Sequence, residues 1–150
     1  MHICNHTEVT RAIVVDTDVF VSALRGAGAA NQVVAECLRG TFRPLMGAAL
    51  FTEYESVLHR PRVFARSRLS GAEREELFDI FLAVCSWTRV YFAWRPNLRD
   101  EGDNHVVELA VAGSATAIVT RNVRDFEIGA ELKFPGLEIL TPAQLLRGKP

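Results

Sequence analysis

The chain has 150 residues, of which 49% are hydrophobic, and its charge is nearly balanced at 17 Lys plus Arg against 18 Asp plus Glu. That length buries a real core as one domain, and no apolar run approaches the roughly 18 residues that a membrane span needs. The N-terminus carries no signal-type apolar region, so a cytoplasmic protein with no membrane partner is expected. Cys4, Cys37 and Cys85 are odd in number, widely spaced and form no C-x-x-C pair; Cys37 and Cys85 sit inside apolar patterns, as reduced buried thiols do. Among the basic residues only Lys133 and Lys149 are lysines. Arg suits planar grips on phosphate or carboxylate, although a GC-rich coding sequence produces the same skew.

In chain order, residues 1–10 are polar and aperiodic and read as a tail; residues 11–150 read as a single domain. His2, Cys4 and His6 alternate, so an extended tail would put them on one face as a metal site does, but a frayed terminus is the better reading. Arg11 to Asp16 is an apolar, β-branched run ending in a carboxylate, the pattern of a central parallel strand that delivers a charge into a crevice. Gly26-Ala27-Gly28-Ala29-Ala30-Asn31 has Asn where a dinucleotide loop needs its last Gly and comes too late after the strand. It reads as a turn into a helix over Asn31–Arg39, closed by Gly40.

Thr41–Met46 reads as a strand, and about Ala48–Leu58 as a helix with Leu50, Phe51, Tyr54, Val57 and Leu58 along one stripe and Glu53 beside it. Pro61 ends that helix and opens a basic connector containing Arg60, Arg62, Arg66 and Arg68. Ser70-Gly71-Ala72-Glu73 is a capping box that starts a helix running to about Cys85. A third strand is expected over Trp87–Phe92, and a helix opening in Asp100-Glu101-Gly102-Asp103-Asn104-His105 and ending at Gly113. Ala115–Thr120 and Leu137–Leu140 read as the last strands. Thr141-Pro142-Ala143-Gln144 combines an N-cap, Pro at the first helical position and a capping Gln, so a short helix closes the chain. Alternating strands and helices predict an α/β fold, a three-layer α/β/α sandwich around a mainly parallel sheet.

Asp16 ends the first strand, Asp125 follows the fourth, and Asp103 starts the helix leading into it. Strand ends and crossover loops of an open α/β sheet meet at one crevice, and Glu53 reaches it if its helix packs over the sheet. Taken singly, Asp103 is a helix-start carboxylate, Asp125 a loop residue and Glu53 the flank of an amphipathic helix. Asp16 is harder to explain by structure alone, because an apolar strand rarely carries a charge. Several carboxylates in one crevice require protons or cations. An all-oxygen set favours Mg²⁺ or Mn²⁺, and such a site supports phosphodiester hydrolysis.

Two other readings fit less well. Asp16-Thr17-Asp18 is similar to the D-x-D of haloacid dehalogenase-type phosphatases, but those need a Lys before their final acidic pair, and both lysines here follow Asp125. A receiver-like phosphoacceptor domain needs a late Lys and an acceptor Asp on a middle strand; only its early acidic pair is easily matched.

Val14-Val15-Asp16-Thr17-Asp18-Val19 with Ser22, then Glu53-Tyr54-Glu55-Ser56-Val57-Leu58 with Arg60-Pro61, then Asp100-Glu101-Gly102-Asp103-Asn104, then Ile118-Val119-Thr120-Arg121-Asn122-Val123-Arg124-Asp125-Phe126 follow one another in this order. In this combination, from about Arg11 to Leu146, the chain resembles the PIN-domain family of metal-dependent nucleases, and most of all the VapC-like toxins of bacterial toxin–antitoxin systems. The resemblance implies Asp16, Glu53, Asp103 and Asp125 as catalytic, metal-holding acids, with Asp100 as an outer contributor. It further implies Ser22 and Thr120 as hydroxyls that hold the carboxylates, with Asn122 beside them. The implied reaction is Mg²⁺- or Mn²⁺-dependent cleavage of single-stranded or structured RNA that leaves a 5′-phosphate. The implied partner is a small antitoxin protein that blocks the site, and a homodimer is the family expectation.

The chain departs from the family pattern at Asp18, where Asn is common, and at Asn122, where many members carry Asp; Asp125 is preferred here as the fourth acid. Arg121 and Arg124, with Arg60 and Arg62 of the connector, are candidates to grip RNA phosphates, against the plainer reading of solvated surface arginines. The non-enzyme alternative is a catalytically degenerate fold of the same kind that only binds a protein partner.

Overall fold

The computed structural model of the chain describes residues 10–26, 28–91, 104–126, 134 and 136–148. Asp100 and Asp103 lie outside these residues, as do His2, Cys4, His6 and Phe92. Five strands form one all-parallel sheet: β1 (Arg11–Val15), β2 (Phe42–Met46), β3 (Ser86–Trp87), β4 (Ala117–Val119) and β5 (Glu138–Leu140), in the order β3-β2-β1-β4-β5. The helices are α1 (Thr17–Leu24), α2 (Gly28–Arg39), α3 (Ala48–Leu58), α4 (Gly71–Val84), α5 (Asn104–Ala112) and α6 (Pro142–Arg147), with a 3-10 turn over Pro61–Phe64. Residues 123–126 are also helical. This is the α/β/α sandwich that the alternating pattern predicts. Among the described residues no helix is long and apolar enough to cross a membrane.

The strand order explains where a crevice opens. The chain steps from β1 to β2 to β3 in one direction, then returns across β1 to β4 and β5. Parallel crossovers are right-handed, so α1 to α4 cover one face and the return through α5 covers the other; α5 packs on β1, β2 and β4. The direction reverses between β1 and β4, and the crevice lies outside their carboxyl ends. There the Asp16 N–H donates to the Val119 carbonyl at 2.9 Å, tying the two strand ends together.

Three expected boundaries differ from the structure. Thr17–Leu24 is a helix that the periodicity did not announce, because seven of its eight residues are buried and an all-round buried helix shows no polar face. The next helix begins at Gly28, three residues earlier than Asn31. The third strand covers Ser86–Trp87, not Trp87–Phe92, because its partner β2 stops at Met46 and Gly47 caps α3. Along that edge the Thr88 N–H donates to the Met46 carbonyl at 2.8 Å.

Both expected capping boxes form, Ser70 with Glu73 and Thr141 with Gln144. Gly40 ends α2 at φ +88°, a conformation that costs glycine little. Gly113 follows α5 for a different reason: a Cβ there would stand 2.3 Å from Leu45 Cδ1. The left-handed residue at that helix end is Ser114, φ 55°.

The core between α1, α3 and α4 is aromatic. The ring of Phe20 lies 5.2 Å from Tyr54, 5.9 Å from Phe78 and 4.9 Å from Phe81, between centroids. Tyr54 is fully buried and donates its hydroxyl to the Val15 carbonyl at 2.6 Å. That bond satisfies the one polar atom of the ring and fastens α3 to the carboxyl end of β1, one residue before Asp16.

Candidate active site

Asp16 serves two elements at once. It follows the last residue of β1, and with extended backbone (φ −63°, ψ 149°) it is the N-cap of α1, its Oδ1 accepting from the Thr17 N–H at 2.9 Å. Its Oδ2 accepts from the Thr120 hydroxyl at 2.8 Å. A carboxylate only 7% exposed is costly unless hydrogen-bonded, and here a helix N-terminus and a hydroxyl meet it. The Thr120 hydroxyl, itself fully buried, also accepts from the Asn122 N–H at 3.0 Å. The loop after β4 is therefore folded onto the same acid.

Glu53 arrives from α3. The Thr17 hydroxyl donates to its Oε1 at 2.7 Å, and His105 Nε2 of α5 stands 3.7 Å from the same oxygen. The close approach of His105 holds the Glu53 carboxyl below the usual carboxylate range; burial opposes this, and the Thr17 hydroxyl bond and the Arg60 charge assist. Asp18, in the first turn of α1, moves the other way. Burial raises its pKa, the backbone N–H and charge of Arg121 and the N–H of Val19 pull against that, and Glu53 adds to it. Asp18 Oδ2 accepts from Asn122 Nδ2 at 3.0 Å, while Oδ1 is buried without a hydrogen-bond partner.

These groups line one cleft of about 360 Å³. Asp16, Thr17, Asp18, Glu53, Asn122 and Asp125 supply its polar wall, and Arg25 and Arg121 its cationic rim. Oxygen is the only ligand type among its acids, and the buried, unsatisfied Asp18 Oδ1 is the kind of atom a hard cation would satisfy, so the donor chemistry fits Mg²⁺ or Mn²⁺. Among the described residues, no three His, Cys, Asp or Glu side chains are grouped so as to hold an ion.

Of the sequence-derived candidates, Asp16, Glu53 and Asp125 come together here, with Thr120 and Asn122 behind them. Both Asn122 and Asp125 reach the cleft, Asn122 through its bond to Asp18. Asp103 and Asp100 lie outside the described residues. The described hydrogen bond of Ser22 is with a cation: its Oγ accepts from Arg121 Nη1 at 2.7 Å. The buried hydroxyl orients a cation. Arg60 sits near enough to Glu53 for its charge to act there and donates to Ser56 at 3.3 Å. Arg62 and Arg124 are exposed and are not among the residues lining the cleft.

Thr17, His105, Tyr54 and Arg25 have no assigned role in the sequence reading. Thr17 and His105 have a visible signal, since each is a polar residue inside an acidic motif. Tyr54 looks like one more apolar-stripe residue, and Arg25 has no local signal. It reaches the cleft only because α1 ends there and its Nε donates to the Val63 carbonyl at 2.7 Å.

No curated protein matches the chain in sequence. The family model of the PIN domain matches residues 12–124, from β1 to the turn that follows β4. The matched span contains the reversal of strand order, Asp16, Glu53, Thr120 and Asn122. It covers well over half of the sequence, and the chain belongs to the PIN-domain family, a family of nucleases.

Proposed function

We propose that this protein is a divalent-metal-dependent endoribonuclease, the toxin of a toxin–antitoxin pair, which hydrolyses RNA phosphodiesters and leaves a 5′-phosphate. The observation that carries the reading is the placement of Asp16, Asp18, Glu53 and Asp125 around one cleft at the strand-order reversal, with arginines on its rim. Asp16, Glu53 and Asp125 would hold Mg²⁺ or Mn²⁺, together with Asp103, which directly precedes α5 in sequence, and with Asp100 as an outer contributor. When bound, such an ion polarises the phosphate and makes water a stronger nucleophile.

The chain's own residues do the positioning. The Thr17 N–H and the Thr120 hydroxyl fix both Asp16 oxygens. The Thr17 hydroxyl and His105 fix Glu53, and Tyr54 clamps α3 to β1. Supports of this kind keep reacting groups in register. In the reaction, a water oxygen bonds to phosphorus while the bond from phosphorus to O3′ breaks. The water gives up one proton to a cleft carboxylate, O3′ departs with the bonding electrons and takes up a proton from solvent to become a hydroxyl, and the phosphate stays on O5′. Arg121, with Arg124, Arg60 and Arg62 farther out, would grip flanking phosphates. An antitoxin would present acidic groups to the same arginines and close the cleft.

Purified protein should cleave single-stranded RNA with Mg²⁺ or Mn²⁺ and stop in EDTA. Asp16→Asn and Glu53→Gln should abolish cleavage while the protein still melts cooperatively. Cleavage without metal, or undiminished in both variants, overturns the mechanism. The other reading, a binding module without catalysis, draws on Asn122, which lines the cleft where many members of the family carry Asp. Wild-type protein inert with either ion would select it. A small partner gene beside this one supports the toxin role; a solitary gene favours a housekeeping nuclease.

A further inference from the structure

Beside the carboxylate cleft lies a second hollow of about 490 Å³, lined by Ser22, Arg25, Ala29, Ala30, Arg121 and the start of α6. Arg25 and Arg121 belong to both spaces. Among the described residues the lining of the hollow carries two cations and no acid. Its volume lies in the range of ordinary small-molecule sites.

The arrangement of the two guanidinium groups is the informative feature. Cations at the rim of an acidic cleft would be drawn onto its carboxylates. Neither is: among the described residues the ion pairs are Arg11–Glu138, Arg39–Glu36, His59–Glu75 and His105–Glu53. Arg121 is held by the buried Ser22 hydroxyl at 2.7 Å, and Arg25 by the Val63 carbonyl at 2.7 Å. Each tether uses one N–H and leaves the remaining donors of an exposed side chain. Two oriented cations, neither in an ion pair among the described residues, face a hollow whose described lining holds no acid; they match a phosphodiester, which accepts from guanidinium forks. The other walls are Ala29, Ala30, Pro142 and Ala143, with no aromatic ring for a base to stack on.

We propose that this hollow is the subsite for the RNA nucleotide adjoining the scissile phosphodiester, read through its backbone by Arg25 and Arg121 and indifferent to its base. The proposal rests on the ribonuclease reading, and its test uses binding without cleavage so that the two can fail separately. The probe is a short fluorescein-labelled oligouridine in EDTA, followed by fluorescence anisotropy over a salt series.

Arg25→Ala and Arg121→Ala should each weaken binding on the order of tenfold and lower the slope of log affinity against log salt by about 0.7. Ser22→Ala should weaken binding less, by releasing Arg121. Ala143→Glu, at an exposed position of the hollow, should weaken it with both arginines intact. Arg43→Ala, an exposed charge toward the opposite end of the sheet, should change nothing. Thermal melts of each variant separate lost binding from lost folding. A folded Arg25→Ala/Arg121→Ala double variant with wild-type affinity and salt slope overturns the proposal. So does an Arg25→Ala or Arg121→Ala variant that keeps wild-type affinity for the oligouridine but loses that for a fluorescein-labelled oligoglutamate titrated beside it, which would assign the cations to an acidic protein partner. Wild-type protein that binds RNA with this arginine dependence yet cleaves none with Mg²⁺ or Mn²⁺ leaves an RNA-backbone site in the hollow and removes the nuclease reading, together with the scissile phosphodiester.

Discussion

Replacing Thr120 by Val removes one hydroxyl and keeps the shape of the side chain. Thr120 is fully buried, and its Oγ1 donates to Asp16 Oδ2 at 2.8 Å and accepts from the Asn122 N–H at 3.0 Å. A hydrogen bond to a charged group contributes about 1.5–3 kcal/mol. The Asn122 N–H belongs to an exposed residue, so water replaces that partner at little cost. The added methyl returns somewhat less than about 0.8 kcal/mol. The net loss is therefore about 1–2 kcal/mol, and at about 2–4 °C per kcal/mol for a domain of this size the midpoint should fall by several degrees. Cleavage of RNA should fall further, about 10–100-fold, as when a group orienting a metal ligand is lost. Thr120→Ser keeps the hydroxyl and should restore most of both. Urea unfolding at pH 7 and a parallel RNA cleavage assay give the two numbers. A Val variant within about 0.5 kcal/mol of wild type, inside ordinary surface-mutation scatter, with undiminished cleavage, would show that Asp16 does not depend on Thr120.

The two cleft carboxylates with shifted pKa values should respond to pH with opposite signs. Glu53 is depressed in the folded state, so it stabilises the fold above its unfolded value near 4.5 and loses that contribution as pH falls through the folded value; Glu53→Gln should melt lower at pH 7 and converge with wild type in acid. Asp18 is raised above 3.8, so its ionised form costs stability at neutral pH; metal-free Asp18→Asn should melt higher at pH 7, keep the Asn122 contact, and lose its advantage below pH 3.8. Thermal melts across pH 3 to 8 decide both, and like-signed shifts would contradict the assigned environments. Gly113→Ala should cost about 1–3 kcal/mol by overpacking, because the new Cβ meets Leu45 Cδ1 at 2.3 Å and Thr88 Oγ1 at 3.3 Å; an unchanged or raised melting temperature would refute the close packing.

Much of the fold was legible because local chemistry and tertiary structure agree. The apolar run Ala12–Val15 of β1, the Ser70 and Thr141 capping boxes and Gly40 each place an element boundary within one residue of the observed one. Asp16 stood out for a reason that holds at any stage, since a charge closing an apolar strand needs a partner. Helix α1 was not legible: its burial on all sides erased the periodicity, and Asp16 read as a strand end conceals an N-cap. The third strand was misjudged in extent because a strand is as long as its partner, and nothing near Trp87 encodes where β2 ends.

The sequence by itself determined which acids are present and which strand ends carry them. Only the tertiary structure decided what those acids touch. Thr17 bridges to Glu53, His105 reaches the same oxygen from another helix, and Asn122 folds back onto Asp18. Ser22 turns out to hold an arginine, and Arg25, silent in the sequence, stands on the rim. Local patterns encode the direction of a backbone and the face of a helix. Contacts between residues far apart in the chain are set by strand order and helix packing, which no single segment carries.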